Sequence, residues 1–161
     1  MPRNSNVKRR ERPEDFEAPE LMFAELDSLL GYQLRRAQGA MHRDFMAAVA
    51  EFELTQKQMA TLWLIQANPG VSQVEVAAAL DMDRATMMAL TDRLENRGFV
   101  IRKRSSTDRR RQELYLTPAG QSTLRKCKSR IAAHEVKFRE MFTAAELASL
   151  VDALKKFQSL G

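Results

Sequence analysis

Residues 82–117, "MDRATMMALTDRLENRGFVIRKRSSTDRRRQELYLT", decide the fold of this protein. Asp83 can cap a helix, and Gly98 stands where a left-handed C-cap ends one. Two short runs with the composition of strands follow, "FVIRKR" and "QELYLT", separated by the polar segment "SSTDRR". The stretch therefore predicts a helix that leads into a β-hairpin. The predicted buried face of that helix is Met87, Leu90, Thr91 and Leu94.

A shorter helix is predicted directly before this stretch. Ser72 and Glu75 have the spacing of a capping box, and apolar residues continue from Val74 to Leu80. About three residues join this helix to the next, which is the spacing of a helix-turn-helix. A helix-turn-helix followed by a hairpin is a winged helix. The predicted fold class is therefore mainly α with a small β-hairpin wing, that is, α+β.

Apolar stripes at helical spacing precede the winged helix. From Leu26 to Phe52, apolar residues recur every three or four positions, which predicts one long helix of about seven turns. Thr55 is the predicted N-cap of a second helix, which ends at "NPG", residues 68–70. Trp63 is assigned to the apolar face of this second helix.

Two more helices are predicted after the wing. Thr117 and Pro118 have the residue types of an N-cap and a first helical position. The stripe of the helix that they begin is Leu124, Cys127, Ile131, His134, Phe138 and Met141. Thr143 and Glu146 form another capping box and begin the last helix, which has the apolar residues Leu147, Leu150, Val151, Leu154 and Phe157.

The predicted wing carries a concentration of positive charge. Six cations surround one acid, Asp108, and they repel one another unless an outside anion neutralises them. The phosphates of double-stranded DNA are the expected anion, because a wing tip can reach them and release their counterions. Asp108 can accept a bidentate bond from Arg110 and so orient its neighbours. The alternative is a solvated charged loop. The six cations are Arg102, Lys103, Arg104, Arg109, Arg110 and Arg111.

Composition limits the class of protein. The 161 residues carry a net charge of +5 and a single cysteine, Cys127, which leaves no internal disulfide. No run approaches the roughly 18 apolar residues of a membrane span, so we expect a cytoplasmic protein without a membrane partner. Residues 1–20 are charged and poor in apolar groups, which predicts a flexible basic arm. This arm is either a disordered terminus or a segment that touches DNA or an acidic ligand.

The wing and the helix before it resemble the MarR family of bacterial transcription regulators. "DRRRQELYLTPAG" matches the wing pattern D-x-R-x-x-x-L-x-L-T-x-x-G of that family at Asp108, Arg110, Leu114, Leu116, Thr117 and Gly120. The preceding helix is similar to the recognition helix of the family at Leu90, Asp92, Arg93, Leu94, Glu95 and Gly98. With the outer helices, the resemblance covers residues 21–160.

The resemblance implies a homodimeric transcription regulator, most often a repressor that a small molecule releases from a pseudo-palindromic operator. Residues 21–53 and 118–161 would form the dimerisation region, and residues 54–117 the winged helix-turn-helix domain that binds DNA. Apolar stripes at both ends of the chain agree, because a symmetry mate could bury them. The two recognition helices would read half-sites about one DNA turn apart.

The DNA contacts are expected from both helices of the motif and from the wing. Arg84 and Thr86 are candidates for base edges, and Arg93 for a phosphate. Met88 stands where the family often has a polar or basic group, so readout through a thymine methyl group or DNA shape is expected there. Ser72 and Gln73 can offer polar groups to phosphate. The wing candidates are Asp108, Arg109, Arg110 and Arg111.

An effector site is expected from the first two helices. "LGYQLRRAQ" is similar to the first helix of family members that control the catabolism of aromatic acids, some of which sense hydroxycinnamoyl- or benzoyl-CoA. An aromatic acid or its CoA thioester is the implied ligand, and Arg35 and Arg36 could receive its negative charge. Ion pairs of these arginines with Asp27 or Asp44 are the alternative. The candidates are Tyr32, Arg35, Arg36, His42, Met46 and Trp63.

Other chemistries have weaker support. His42 and His134 lack further ligands at metal spacing, so no zinc site is expected, and His134 is assigned to the core. No glycine-rich phosphate loop, nucleophile elbow or paired acid and base indicates an enzyme or a cofactor. Two alternatives remain open, a ligand-independent architectural DNA-binding protein and a regulator that senses oxidants through Cys127. We favour a buried structural role for Cys127.

Overall fold

The computed structural model describes residues 22–106, 108 and 111–159. The basic arm predicted over residues 1–20 lies outside this range. The chain divides into two compact units, one up to Gln38 and one from Gly39 onward. The elements in chain order are α1 (Leu30–Ala48), α2 (Gln56–Ala67), β1 (Val71–Ser72), α3 (Gln73–Ala79), α4 (Arg84–Asn96), β2 (Val100–Arg104), β3 (Gln112–Leu116), α5 (Pro118–Arg139) and α6 (Ala144–Gln158).

The prediction of one continuous helix from Leu26 to Phe52 was wrong at both ends. Leu29 has an extended backbone, with ψ at 119°, and it separates α1 from a 3-10 turn over Ala24–Ser28. At the other end a second 3-10 turn, Ala50–Phe52, is closed by Glu53 in the left-handed region, with φ at 49°. Apolar spacing persists through a 3-10 turn, so periodicity alone does not reveal these breaks.

The predicted starts of α2 to α6 are confirmed, because each is set by a hydrogen bond within a few residues. In each case a side-chain oxygen accepts a hydrogen bond from the backbone N–H three residues on, which satisfies one of the free donors of the first turn. The cap of α2 is a full capping box with Gln58, which the sequence analysis had not identified. The capping residues are Thr55, Ser72, Asp83, Thr117 and Thr143.

The wing belongs to a three-stranded antiparallel sheet in the order β1-β3-β2. The predicted hairpin is present, with Val100 opposite Leu116, and Val71 lies opposite Leu114 on the other side of β3. The sequence analysis did not predict β1, because its two residues coincide with the capping signal of α3. The helices and the small sheet confirm the predicted mainly α fold with a β wing.

The core lies in the second unit, between the helix-turn-helix, the sheet and α5. Met87, Leu94 and Leu114 are fully buried there, as are Leu124 and Cys127 of α5. Two residues of the predicted apolar stripes lie outside this core: Trp63 is 41% exposed, and Met141 is 72% exposed. Trp63 points away from the core side of α2, and Met141 follows the last residue of α5, so the helical spacing no longer applies to it.

None of the α6 side chains that the structure describes is buried within one chain. Leu150, Val151, Leu154 and Phe157 are all exposed, although their spacing places them on one side of the helix. An apolar stripe of this length needs a further covering surface to be stable in water. None of the helices that the structure describes is long and apolar enough to cross a membrane.

Candidate nucleic-acid interface

A groove of about 780 Å³ runs between α3, α4 and the loop that joins β2 to β3 in the wing. Buried Met82 and Met87 lie beneath it, and polar and charged side chains surround its opening. The groove brings together six of the residues that the sequence analysis assigned to DNA binding. These are Ser72, Gln73, Arg84, Met88, Asp108 and Arg111.

At the start of α3, Glu75 engages both polar groups of Ser72. Its Oε2 accepts a hydrogen bond from the Ser72 backbone N–H at 2.7 Å, and its own N–H donates to Ser72 Oγ at 3.3 Å. Hydrogen bonds to the Glu75 carboxylate from the backbone and then from the side chain of Ser72 lower its pKa below the ordinary value, and the charge of Arg111 lowers it further.

Arg111 connects the wing to α3. Its Nη2 lies 2.9 Å from Glu75 Oε2 and also donates to the Gly70 carbonyl at 3.4 Å. The side chain is still about two-fifths exposed, so part of the guanidinium faces solvent. Arg111 thus forms an intramolecular ion pair that the wing sequence did not indicate, because its partner lies 36 residues away in the chain.

The start of α4 presents a different arrangement. Asp83 accepts hydrogen bonds from the Thr86 N–H at 2.8 Å and from the Thr86 hydroxyl at 2.5 Å, and these bonds lower the pKa of Asp83. The Thr86 hydroxyl can therefore act toward DNA mainly as an acceptor. Arg84, Met88 and Arg93 are exposed on the same helix.

Arg102 is directed toward α4. Its Nη2 lies 2.5 Å from Asp92 Oδ1, its Nη1 donates to Glu95, and its backbone N–H donates to Glu95 Oε1 at 3.3 Å. The Arg102 side chain is only 19% exposed. The sequence analysis grouped Arg102 with the cations expected at phosphates, but the structure places it in an intramolecular bridge between the wing and the predicted recognition helix. The sequence contained one indication of this bridge, because Asp92 and Glu95 lie one turn apart on α4.

The tip of the wing lies partly outside the described residues. Arg109 and Arg110 are among those omitted, and so is the expected pair between Asp108 and Arg110. Within the strands of the hairpin, the Tyr115 hydroxyl donates to Glu113 at 2.7 Å, which raises the pKa of Tyr115. Lys103 Nζ lies 5.1 Å from the centre of the Tyr115 ring. These contacts join side chains of β2 and β3.

Three predicted effector residues come together in the first unit. The guanidinium carbon of Arg35 lies 5.5 Å from the centre of the Tyr32 ring, and that of Arg36 lies 5.7 Å from the same ring. Arg36 also lies 5.4 Å from the Phe23 ring. The alternative partner Asp27 instead accepts hydrogen bonds from the Gln33 amide, at 2.6 and 2.9 Å to its backbone and side-chain oxygens.

The other three predicted effector residues lie in the second unit. His42 Nδ1 is 3.3 Å from the Gln56 side-chain oxygen, and Met46 packs against the core. Trp63 stacks with Lys128, whose Nζ lies 4.3 Å from the indole centre and donates to Gln66 at 2.5 Å. His42 and Trp63 thus have polar or cationic neighbours at the surface of α1 and α2.

Cys127, His134 and Asp44 have environments typical of structural rather than reactive residues. Cys127 is fully buried, and burial raises the pKa of its thiol to about 11, so the reactive thiolate is scarce at neutral pH. His134 is buried with Nδ1 2.7 Å from Asp44 Oδ2, as expected for a hydrogen-bonded core histidine. Lys137 and then His134 lower the pKa of Asp44. The described residues contain no cluster of three metal-ligating side chains.

Comparisons with known proteins agree with this arrangement. A family model described as the MarR family matches residues 52–111. The chain is 33% identical over 150 residues to a protein of Thauera aromatica named as a transcriptional regulatory protein for the hcr operon, a match that spans 92% of this chain and 90% of the relative.

Two similar solved structures are those of the transcriptional repressor CouR. The structure bound to a 23-mer DNA duplex is 39% identical, with a TM-score of 0.82, and the match covers 86% of this chain and 99% of that one. The structure bound to p-coumaroyl-CoA is 37% identical, with a TM-score of 0.78, and the match covers 86% and 98%. The relatives and the family are transcription regulators rather than enzymes. The chain belongs to the MarR family of transcription regulators.

Proposed function

We propose that the chain is a homodimeric repressor that binds a pseudo-palindromic operator in the cytoplasm and is released by a hydroxycinnamic or related aromatic acid, most effectively as its CoA thioester. The observation that carries the effector class is the aromatic and cationic cluster of Phe23, Tyr32, Arg35 and Arg36. Within the described residues neither guanidinium forms an ion pair, so both charges are available to an anionic ligand.

The ligand class follows from what this cluster can bind. Arginine held against an aromatic ring keeps its hydrogen-bond donors at the edge, where they can form paired bonds to carboxylate or phosphate. Coenzyme A supplies phosphates, and an aryl or cinnamoyl group supplies an apolar ring. The similarity to CouR, which has been solved with p-coumaroyl-CoA, supports the thioester over other anions. His42, Met46 and Trp63 are proposed as further ligand contacts.

The homodimer accounts for apolar surface that one chain leaves uncovered. Exposed apolar side chains on α6, before α1 and at the first residue of α1 include Leu154, Phe157, Leu26 and Leu30. We assign residues 21–53 and 118–161 to the dimerisation region and residues 54–117 to DNA binding. A two-fold symmetric dimer buries the same patch on both protomers. It also presents two copies of α4 to half-sites about one DNA turn apart.

The residues around the groove would hold the DNA. Arg84 and Thr86 are assigned to base edges, and Arg93 to a phosphate. Ser72 and Gln73 are assigned to the backbone at the edge of the groove. The wing residues Asp108, Arg109, Arg110 and Arg111 complete the proposed contacts, with Arg111 sharing its charge between Glu75 and a phosphate.

Release of DNA by the effector is best described as a shift between two populations. A ligand moves this equilibrium only through its different affinity for the two states. If the ligand-bound state holds the two winged domains at a spacing that does not match successive major grooves, affinity for the operator falls while each domain remains intact. Repression relieved by ligand is therefore expected rather than activation.

Fluorescence anisotropy tests the proposal directly. A labelled duplex from upstream of the gene for this protein is titrated with protein, and then with p-coumaric and benzoic acids and, separately, with their CoA thioesters. We expect the thioesters to lower operator affinity at least severalfold. Tight binding that no compound changes would instead favour a ligand-independent architectural DNA-binding protein.

A matched pair of variants locates the ligand. Arg36→Met should retain operator binding but weaken the thioester by about 10- to 100-fold, the loss expected for hydrogen bonds to a charged group. Arg125→Met removes an exposed arginine of α5 and serves as the control, with an unchanged response. Calorimetry that gives parental thioester affinity for Arg36→Met would remove this cluster from the ligand site.

A further inference from the structure

The groove of the helix-turn-helix has two exposed apolar side chains at its edge. Val74 of α3 is 62% exposed and Met88 of α4 is 55% exposed, and both line the groove. The surface around them is otherwise one that favours a polyanion, with Arg84 and Arg111 on the same groove. Exposing such side chains to water is unfavourable, so their position calls for an apolar partner on the DNA.

The major groove of DNA offers one apolar group on its base edges, the C5-methyl group of thymine. In a helix-turn-helix, the second helix enters the major groove while the first crosses the backbone beside it, and here the start of α3 lines the same groove of the protein as α4. Residues at the start of α3 and on the first turns of α4 therefore face the same few base pairs. Val74 and Met88 are the exposed large apolar side chains that α3 and α4 bring to this face.

We propose that Val74 and Met88 are specificity-determining residues that read thymine methyl groups, one from each helix of the motif. This inference rests on the proposed operator-binding function and deepens it by naming the base feature that is read and by adding Val74 to the contact residues. The wing cations hold the duplex in register, while the two apolar side chains discriminate thymine from cytosine.

The packing beneath these residues supports a fixed geometry. Met82 and Met87 are buried below the groove, so the helix segments that carry Val74 and Met88 pack against buried side chains. The Asp83 cap holds the first turn of α4, and the capping box of Ser72 and Glu75 holds that of α3. Val74 has a β-branched side chain with one preferred rotamer in a helix, which suits selective contact with a methyl group.

Uracil substitution tests the inference because it removes only the methyl group and leaves base pairing intact. An operator is first selected from a random duplex pool, and each thymine in turn is then replaced by uracil. Burial of one methyl group corresponds to about a fourfold change in binding constant, and symmetric replacement in both half-sites to about fifteenfold. We expect losses of this size at one or two thymines in each half-site.

Protein variants connect each methyl group to its side chain. Met88→Gln keeps the length of the side chain, and Val74→Thr keeps its shape, and both positions are exposed, so the fold should be retained. Each variant should bind the thymine operator several-fold more weakly and lose its sensitivity to uracil at one position only. Met22→Gln, which changes a 94% exposed methionine of the first unit, is the matched control and should retain the full uracil effect.

The outcomes separate this inference from the function on which it rests. A selected operator that binds tightly but is indifferent to uracil at every thymine would overturn the inference and leave the repressor function in place. Uracil losses that persist unchanged in both Val74→Thr and Met88→Gln would also overturn it, because other residues would then contact the methyl groups. A pool that yields no enriched sequence would count against operator binding itself.

Discussion

Arg102→Met tests whether the wing and the recognition helix are joined by the ion pairs described above. Methionine keeps most of the apolar stem of arginine, so the substitution removes mainly the guanidinium. Asp92 and Glu95 then remain one turn apart on α4 as like charges, and these repel each other. We therefore expect the winged helix to be less stable while its DNA-binding surface stays unchanged.

The size of the effect follows from the exposure of the three groups. Exposed ion pairs contribute about 0.2–1 kcal/mol, and hydrogen bonds to charged groups about 1.5–3 kcal/mol. Arg102 is 19% exposed, whereas Asp92 is half exposed and Glu95 about a third, so the bridge lies between these limits. We expect the free energy of unfolding to fall by about 1–2 kcal/mol. Urea denaturation measures it, at one fixed protein concentration because dimers gain stability with concentration.

Salt dependence of operator binding decides the role of Arg102. Each phosphate that a cation neutralises adds about −0.9 to the slope of log K against log salt. Arg102→Met should leave this slope unchanged, whereas Arg93→Met should reduce its magnitude by about 0.9 for each phosphate that Arg93 neutralises. Adding Asp92→Asn and Glu95→Gln to Arg102→Met should recover part of the stability. A reduced slope with parental stability for Arg102→Met would refute the intramolecular bridge and return Arg102 to the residues that bind phosphate.

Two further predictions concern stability. Gly120→Ala should destabilise the protein by at least about 3 kcal/mol, because an added Cβ would meet the Phe99 carbonyl oxygen at 2.1 Å. Gly31→Ala is the control, because its Cβ meets nothing within 4 Å, and it should stabilise the protein by about 0.5–1 kcal/mol. Equal thermal melting of the two variants would contradict the close approach. Asp44→Asn should be less stable than the parent at neutral pH, because the hydrogen bonds of Asp44 to its lysine and histidine partners lower its pKa in the folded state. This stabilisation is lost as the pH falls below the ordinary value of 3.8, so the difference in melting temperature should shrink there; a difference independent of pH would contradict the role of the carboxylate.

Gly120 also shows how a sequence motif acquires a physical reason. The sequence matches the last glycine of the wing pattern at Gly120 but gives no reason for it. The structure shows that α5 approaches the Phe99 backbone there too closely for any Cβ. The Thr117 N–H donates to the same carbonyl at 3.0 Å. The motif was predictable from sequence, but the close approach that requires it joins segments about twenty residues apart.

The sequence by itself determined the starts of five helices, the helix-turn-helix spacing and the hairpin, because caps and turns depend on residues within a few positions of one another. Tertiary structure alone decided which cations remain for DNA. In the wing sequence Arg102 and Arg111 cannot be told from the cations that are free to bind phosphate. In the structure both bind acids of the helices that pack against the wing. The third strand and the breaks beside α1 were likewise decided by tertiary structure. A charge or a two-residue strand has no preferred partner until folding brings distant residues together, whereas a cap is complete within its own turn.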